Sequence, residues 1–150
     1  YSGYTSAAKK SVIKNNHATI NKFIVAELTM CSVDLDNKIL KMNDGSSLDC
    51  YDVYGDLSTD TVTRHMVNYV RENYKNVFNN NSIVANMGWM HNNPCNAHGT
   101  EESNNQEEGT HTLGVSNYDG QSPTFRIDTC FEVMAYGENT QLRNATVLDD

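Results

Sequence analysis

Apolar side chains repeat at helical spacing near the start of the chain. Ile13, Ile20, Ile24, Leu28 and Cys31 follow one another at intervals of 7, 4, 4 and 3 residues, which places them on one stripe of an α-helix. Neither Pro nor Gly interrupts residues 5–31, so the pattern predicts one helix over that range. At about 1.5 Å per residue this helix is roughly 40 Å long. In a small domain it must project beyond the body or form its spine.

A second helical pattern covers residues 59–78, starting after a Ser58 or Thr59 cap and ending at an asparagine tract, residues 79–81. Between the two helices, the turn sequence Asn43-Asp44-Gly45 indicates a small hairpin. The stripe predicted to be buried in the second helix consists of Val62, Met66, Tyr69, Val70, Tyr74 and Val77.

The C-terminal part changes to the alternation of apolar and polar residues that is typical of strands. Strands are predicted at residues 110–115 and 124–130, with one or two more from 131–136 and 141–148; residues 82–89 fit a short strand or a loop. Helices followed by strands give an α+β order, unlike the βαβ order of a parallel sheet. We therefore expect an α+β fold in one structural domain. A long N-terminal helix packs on an antiparallel sheet of about four strands, with an additional helix at about 59–78.

The charge is unevenly distributed along a chain whose 150 residues fit one domain and whose net charge is −8. Residues 1–30 hold four lysines and one glutamate, a net of 4 − 1 = +3. Residues 31–150 hold 7 basic and 18 acidic side chains, a net of 7 − 18 = −11. Because such an acidic body repels phosphate backbones, strong general nucleic-acid binding is not expected.

Four cysteines, Cys31, Cys50, Cys95 and Cys130, occur without a CxxC motif, which argues against a structural zinc site. An even number at wide spacing, in a chain rich in Asn, Ser, Thr and Gly, predicts two disulfides of an exported protein. We favour the sequential pairs Cys31–Cys50 and Cys95–Cys130 because they close local loops. The other two pairings, and four reduced thiols in a cytosolic protein, remain open at this point.

Candidate catalytic and metal-binding groups do not form a specific pattern. No nucleophile elbow or glycine-rich phosphate loop occurs. His91, His98 and His111 fall in one region without ligand spacing, so surface histidines are predicted. The segment 34–37 begins like a calcium loop but lacks the required glycine and later glutamate. We expect no catalytic activity and no cofactor, with calcium at 34–37 as the alternative; an enzyme would need His91 or His98 to meet Glu101 in a cleft.

The first residues of the long helix have no obvious body to pack on. Tyr1, Tyr4, Ala7 and Ala8 fall near one face by their helical spacing. Exposed aromatic and small residues on a protruding helix predict a packing surface for other copies of the chain.

With these features the chain resembles a type IV pilin that lacks the hydrophobic half of its N-terminal helix. Residues 1–9, YSGYTSAAK, look like the stretch that joins that half to the amphipathic half. Cys31 at the helix end, Asn93-Pro94 in the loop after the second helix and the late strand 124–130 are also similar to the family. The resemblance implies that residues 1–31 are a projecting amphipathic stalk helix and that residues 32–150 are the globular head.

The resemblance also implies a function, namely a structural subunit of an extracellular type IV pilus that serves adhesion, motility or DNA uptake. Export through the inner membrane and periplasm, disulfide formation in the periplasm and contact with assembly-machinery proteins follow from it. Membrane contact is expected only through the missing segment. The alternatives are a type II secretion pseudopilin and a minor pilin or adhesin with a binding pocket near Trp89 or Tyr118. The residues expected to contact other copies in the helical filament are Tyr1, Tyr4, Ala8, Val12 and Ile13.

Overall fold

The secondary structure follows the predicted α+β order. The computed structural model describes residues 2–54, 59–78, 84–87, 109–116, 124–131 and 141–148. The elements are α1 (Ser2–Val33), β1 (Lys38–Ile39), β2 (Leu48–Asp49), α2 (Cys50–Tyr54), α3 (Thr59–Asn73), β3 (Ala85–Met87), β4 (His111–Ser116), β5 (Thr124–Cys130) and β6 (Gln141–Val147).

Helix α1 presents one continuous buried face to the body of the protein. The predicted stripe is buried along its whole length, and His17 fills the gap between Ile13 and Ile20 at 3% exposure. No side chain from residue 5 to residue 12 is buried. From Ile13 onward the helix is therefore the spine of the body, whereas the stalk was predicted to extend to residue 31.

The larger sheet has the strand order β3-β4-β5-β6 and is mixed. β4, β5 and β6 are antiparallel neighbours, as predicted, but β3 pairs with β4 in parallel, with Ala85 opposite His111. The prediction of a wholly antiparallel sheet is therefore wrong. Alternation along a strand indicates which face is buried but carries no information on strand direction. The stretch between β3 and β4 is longer than the dozen or so residues that a parallel crossover needs.

Helices α2 and α3 differ from the prediction. Helix α3 ends at Asn73, before the asparagine tract, where the Asn73 side chain donates to the carbonyl of Tyr69. Asn76 then accepts from the backbone N–H of Phe78 in a local turn, which replaces helical bonding. The short α2 was not predicted, because five residues are too few to show a periodicity. Of the predicted strand 131–136, Phe131 lies outside any strand and the rest falls outside the described residues.

The core lies between the helices and one face of the sheet. Helix α1 packs over β5 and β6, and α3 packs over β3 and β4. The two helices meet where the rings of Phe23 and Tyr69 stack with centroids 5.5 Å apart. The sheet contributes cross-strand pairs that are almost fully buried, Leu113 with Ile127 and Val115 with Phe125.

The predicted hairpin is present as β1 and β2, which pair in antiparallel register. Gly45 has a positive φ of 88°, and the carboxylate of Asp44 accepts from both the N–H and the hydroxyl of Ser46. These hydrogen bonds hold the pKa of Asp44 below its usual range. The turn predicted from Asn43-Asp44-Gly45 is thus the turn that closes the hairpin.

Candidate functional site

The first candidate site is the exposed N-terminal part of α1, residues 5–12, called here the assembly surface. Ala8 is exposed and Val12 is 42% exposed, so both predicted contact residues are accessible. Ile13 is 0% exposed, and its side chain therefore belongs to the interior of this chain. Tyr1 and the side chain of Tyr4 lie outside the described residues. The accessible part of the predicted contact set is therefore Ala8 and Val12.

The charges of α1 run against its own dipole. Lys9, Lys10, Lys14 and Lys22 precede the only acidic residue of the helix, Glu27. The first turn has no acidic residue and the last turn has no basic one. A helix is stabilised by the opposite arrangement, because its N-terminus carries partial positive charge. No acidic side chain in the first turn of α1 offsets the partial positive charge of its N-terminus.

Two of these lysines lie over aromatic rings of the body. The ammonium of Lys14 is 4.3 Å from the ring centroid of Phe131, and that of Lys9 is 5.9 Å from that of Phe78. Such contacts contribute roughly 0.5–1 kcal/mol each at exposed positions. They secure the outer part of α1 only weakly, compared with the buried face that begins at Ile13.

The opposite end of α1 is held by a disulfide. Cys31 and Cys50 are bonded at 1.98 Å, with Cα atoms 5.0 Å apart, which confirms this predicted pair. Cys130 is also disulfide-bonded. Its predicted partner Cys95 lies outside the described residues, so the pairing Cys95–Cys130 stays a prediction. The first bond joins the last turn of α1 to the end of the hairpin.

The hairpin is held further by two polar side chains from the helices. Leu40 is buried and has a positive φ of 52°, a conformation that costs about 1–2 kcal/mol for a residue with a Cβ. Its N–H donates to Glu27 of α1 at 3.1 Å, and its carbonyl accepts from Nε2 of His65 of α3 at 2.8 Å. Both helices therefore fix the backbone of the hairpin at one residue.

A second candidate site is a polar cluster between α1 and the sheet, in which His17, His111 and Thr129 are buried and Asn144 is exposed. Nδ1 of His17 and Nδ1 of His111 lie 2.7 and 2.6 Å from the same hydroxyl, that of Thr129. Nε2 of His17 is 2.5 Å from Oδ1 of Asn144. The strand register places His111 directly opposite Thr129, so adjacent strands bring both to one face of the sheet.

The hydrogen positions in this cluster follow from its acceptors. Oδ1 of Asn144 can only accept, so Nε2 of His17 carries a hydrogen; in the neutral tautomer that this defines, Nδ1 accepts from the hydroxyl of Thr129. That hydroxyl then accepts from Nδ1–H of His111. Nε2 of His111 is left as a buried acceptor without a hydrogen-bond partner. Burial, and after it the neighbouring His17, lower the pKa of His111 from 6.5 to about 3.

The prediction of surface histidines is therefore wrong for His111, which is 0% exposed. It starts a buried strand, and the alternation beginning at Thr110 would have placed it inside. On α1, the position of His17 between Ile13 and Ile20 in the apolar stripe likewise indicated burial. His91 and His98, and with them the histidine–acid alternative at Glu101, fall outside the described residues, as do Trp89 and Tyr118 of the adhesin alternative.

No metal site is formed by the part of the chain that the structure describes. It contains no group of three or more His, Cys, Asp or Glu side chains arranged to hold a metal ion. In the segment considered for calcium, the carboxylate of Asp34 accepts from the backbone N–H of Asp36 at 3.0 Å. That carboxylate closes a local turn at the end of α1.

Two further findings bear on the site. Among the described helices, none combines the length and the apolar character needed to cross a bilayer. Searches against known protein families, characterised proteins and solved structures return no match to this chain. The functional argument therefore rests on the residues and their geometry.

Proposed function

We propose that this chain is the structural subunit of an extracellular filament of the type IV pilus kind, which assembles through helix α1. The observation that carries the proposal is the change in burial along α1. Residues 13–31 form the spine of the body, whereas residues 5–12 continue the same helix without a buried side chain. At about 1.5 Å per residue the exposed part extends over roughly 12 Å.

The side chains of the assembly surface suit contact between helices. Ala7, Ala8 and Ser11 are small and exposed, so another helix can approach the backbone closely. Val12 adds an exposed apolar side chain at the point where the buried face begins. Small and apolar residues on an unpartnered helix are typical of a surface that other copies cover.

The charge distribution supports the same partner. Residues 1–30, which contain the assembly surface, have a net charge of +3. They attract residues 31–150 of another copy, whose net charge is −11. Asp34, Asp36 and Asp52 are exposed close to the far end of α1. The reversed charge order of α1, unfavourable within one helix, becomes favourable when helices of different copies pack side by side with a shift along their axes.

The Cys31–Cys50 disulfide supports export. Disulfides of this kind form in oxidising compartments such as the periplasm. By closing a loop with a sequence separation of 19 residues, the bond stabilises the fold by about 3 kcal/mol in the chain-entropy model. A filament subunit exposed to shear needs such a connection between its spine and its surface.

The proposal is tested by placing a charge on the assembly surface of the natural gene product in its own host. We expect Val12→Asp to abolish surface filaments containing this chain, because each contact would bury an unpaired carboxylate. Val33→Asp is the matched control, because Val33 lies on the same helix and is 86% exposed. The measurement is the amount of the chain in the sheared surface fraction, together with electron microscopy of that fraction.

Three outcomes decide the question. Loss of filaments with Val12→Asp but not with Val33→Asp supports assembly through residues 5–12. Equal loss with both variants, or filaments unaffected by Val12→Asp, contradicts it. Absence of the unmodified chain from any filament contradicts the proposed function as a whole.

A further inference from the structure

The cluster of His17, Thr129, His111 and Asn144 has a consequence that is independent of filament assembly. It joins parts of the chain that are far apart in sequence. Thr129 lies 112 positions from His17, and Asn144 lies 127 positions from it. These are the polar contacts by which the middle of α1 is tied to β5 and β6. The strength of this connection depends on the protonation of His111, which shares the hydroxyl of Thr129 with His17.

We propose that this cluster is an acid-sensitive latch, which holds α1 on the sheet while His111 is neutral and loosens when His111 takes up a proton. In the neutral state the hydroxyl of Thr129 donates its hydrogen to Nδ1 of His17 and accepts one from Nδ1 of His111. A proton on His111 goes to Nε2, for which the described residues offer no hydrogen-bond partner. The resulting cation is buried at 0% exposure, on the same hydroxyl as a second imidazole.

The charged groups around the latch do not offset such a cation. On α1, Lys14 is one turn before His17 and is itself positive. On α3, Arg71 donates to the carbonyl of Ala85, which lies opposite His111 in the sheet. Asp128 precedes Thr129 in β5, so its side chain lies on the other face of that strand. The causes that act on the pKa of His111 are burial and His17.

The direction of the pH dependence follows from this lowered pKa. An unfolded or opened chain takes up a proton on His111 near pH 6.5, whereas the closed chain does so near 3. The stabilising contribution of the closed latch is complete above about pH 6.5 and is lost as the pH falls toward about 3. Acid therefore favours states in which α1 has separated from β5 and β6.

The test is hydrogen exchange of the α1 amides in the oxidised full chain at about pH 7.5 and about pH 4.5, after correction for the intrinsic exchange rates. We expect the opening equilibrium constant of residues 13–20 to rise by at least about tenfold on acidification. His111→Gln keeps a side chain that bonds Thr129 but cannot be protonated, and it should remove most of this rise. His65→Gln is the control, because His65 contacts Leu40 outside the latch; it should retain the rise.

A pH-independent opening of α1, or a rise that persists in His111→Gln, overturns the proposal. If His111→Gln does not fold, nuclear magnetic resonance of the imidazole nitrogens in the unmodified chain decides. Nε2 of His111 unprotonated at about pH 5 supports the latch. Protonation of His111 with a midpoint near its ordinary value of 6.5 contradicts it.

Discussion

The two parts of the buried face of α1 are held to the body by different chemistry. Residues 20–31 pack through Ile20, Ile24 and Leu28, which are at most 1% exposed, and end in the Cys31–Cys50 bond. The preceding turns bury His17 instead, and its ring depends on Thr129 and Asn144 for hydrogen bonds. Apolar packing is weakened by a loss of side-chain volume, a disulfide by reductant, and the histidine cluster by acid.

This difference indicates where α1 separates first under each condition. Removal of the Cys31–Cys50 bond acts on the C-terminal end of α1, away from the polar cluster. Acid acts on the middle of the helix and leaves the aliphatic contacts intact. Residues 5–12 have no buried side chain and form the part of α1 that we propose contacts other copies.

The largest effect is expected from shortening the aliphatic face. Leu28→Ala should lower the free energy of unfolding by about 2–5 kcal/mol, because a side chain with 0% exposure leaves a cavity. Urea denaturation measures this loss, which should be similar at neutral and mildly acidic pH. Val33→Ala, at an 86% exposed position of the same helix, is the control and should change stability by less than about 0.5 kcal/mol. Equal effects of the two variants would contradict the assigned packing of α1.

Removal of the disulfide should have the next largest effect. The double variant Cys31→Ala/Cys50→Ala should lose about 3 kcal/mol, because the unfolded chain regains the entropy of an open loop. Thermal unfolding under non-reducing conditions measures it. The acid response of residues 13–20 should persist in this variant, since the histidine cluster lies elsewhere on α1. Loss of that response would show that the two parts of the helix are not independent.

A smaller effect is expected from removing the shared hydroxyl. Thr129→Val keeps the shape of the side chain but leaves Nδ1 of both His17 and His111 without a partner, at a cost of about 1–3 kcal/mol. Thr63→Val is the comparison, because the Thr63 hydroxyl accepts one long bond of 3.3 Å from Val115. Urea denaturation at neutral pH should rank Thr129→Val as the more destabilising variant, and the reverse order would contradict the bridging role of Thr129.

Much of the fold could be predicted from local patterns. The stripe from Ile13 to Cys31, the turn at Asn43-Asp44-Gly45 and the strands after residue 110 were found because each depends on residues close in sequence. The pair Cys31–Cys50 was found because it closes a local loop. The parallel pairing of β3 with β4 could not be found, since strand direction depends on a long connection and not on alternation.

The buried cluster was missed for a related reason. The hydrogen bonds of His17 join positions more than a hundred residues apart, and spacing rules detect no such pairs. Each histidine taken alone is a common surface residue. Only their places within apolar patterns, His17 in the α1 stripe and His111 at the start of β4, indicated burial. Contact between chains is likewise invisible to these rules, which is why Ile13 was counted with the assembly residues although it belongs to the core.

Cryo-electron microscopy of filaments sheared from cells that produce the natural gene product is the most direct test of the central claim. The account predicts filaments in which residues 5–12 of α1, with Ala8 and Val12, are buried against neighbouring copies while residues 13–31 keep their contacts with the chain's own sheet. Filaments in which residues 5–12 face solvent, or the absence of this chain from surface filaments, would contradict it.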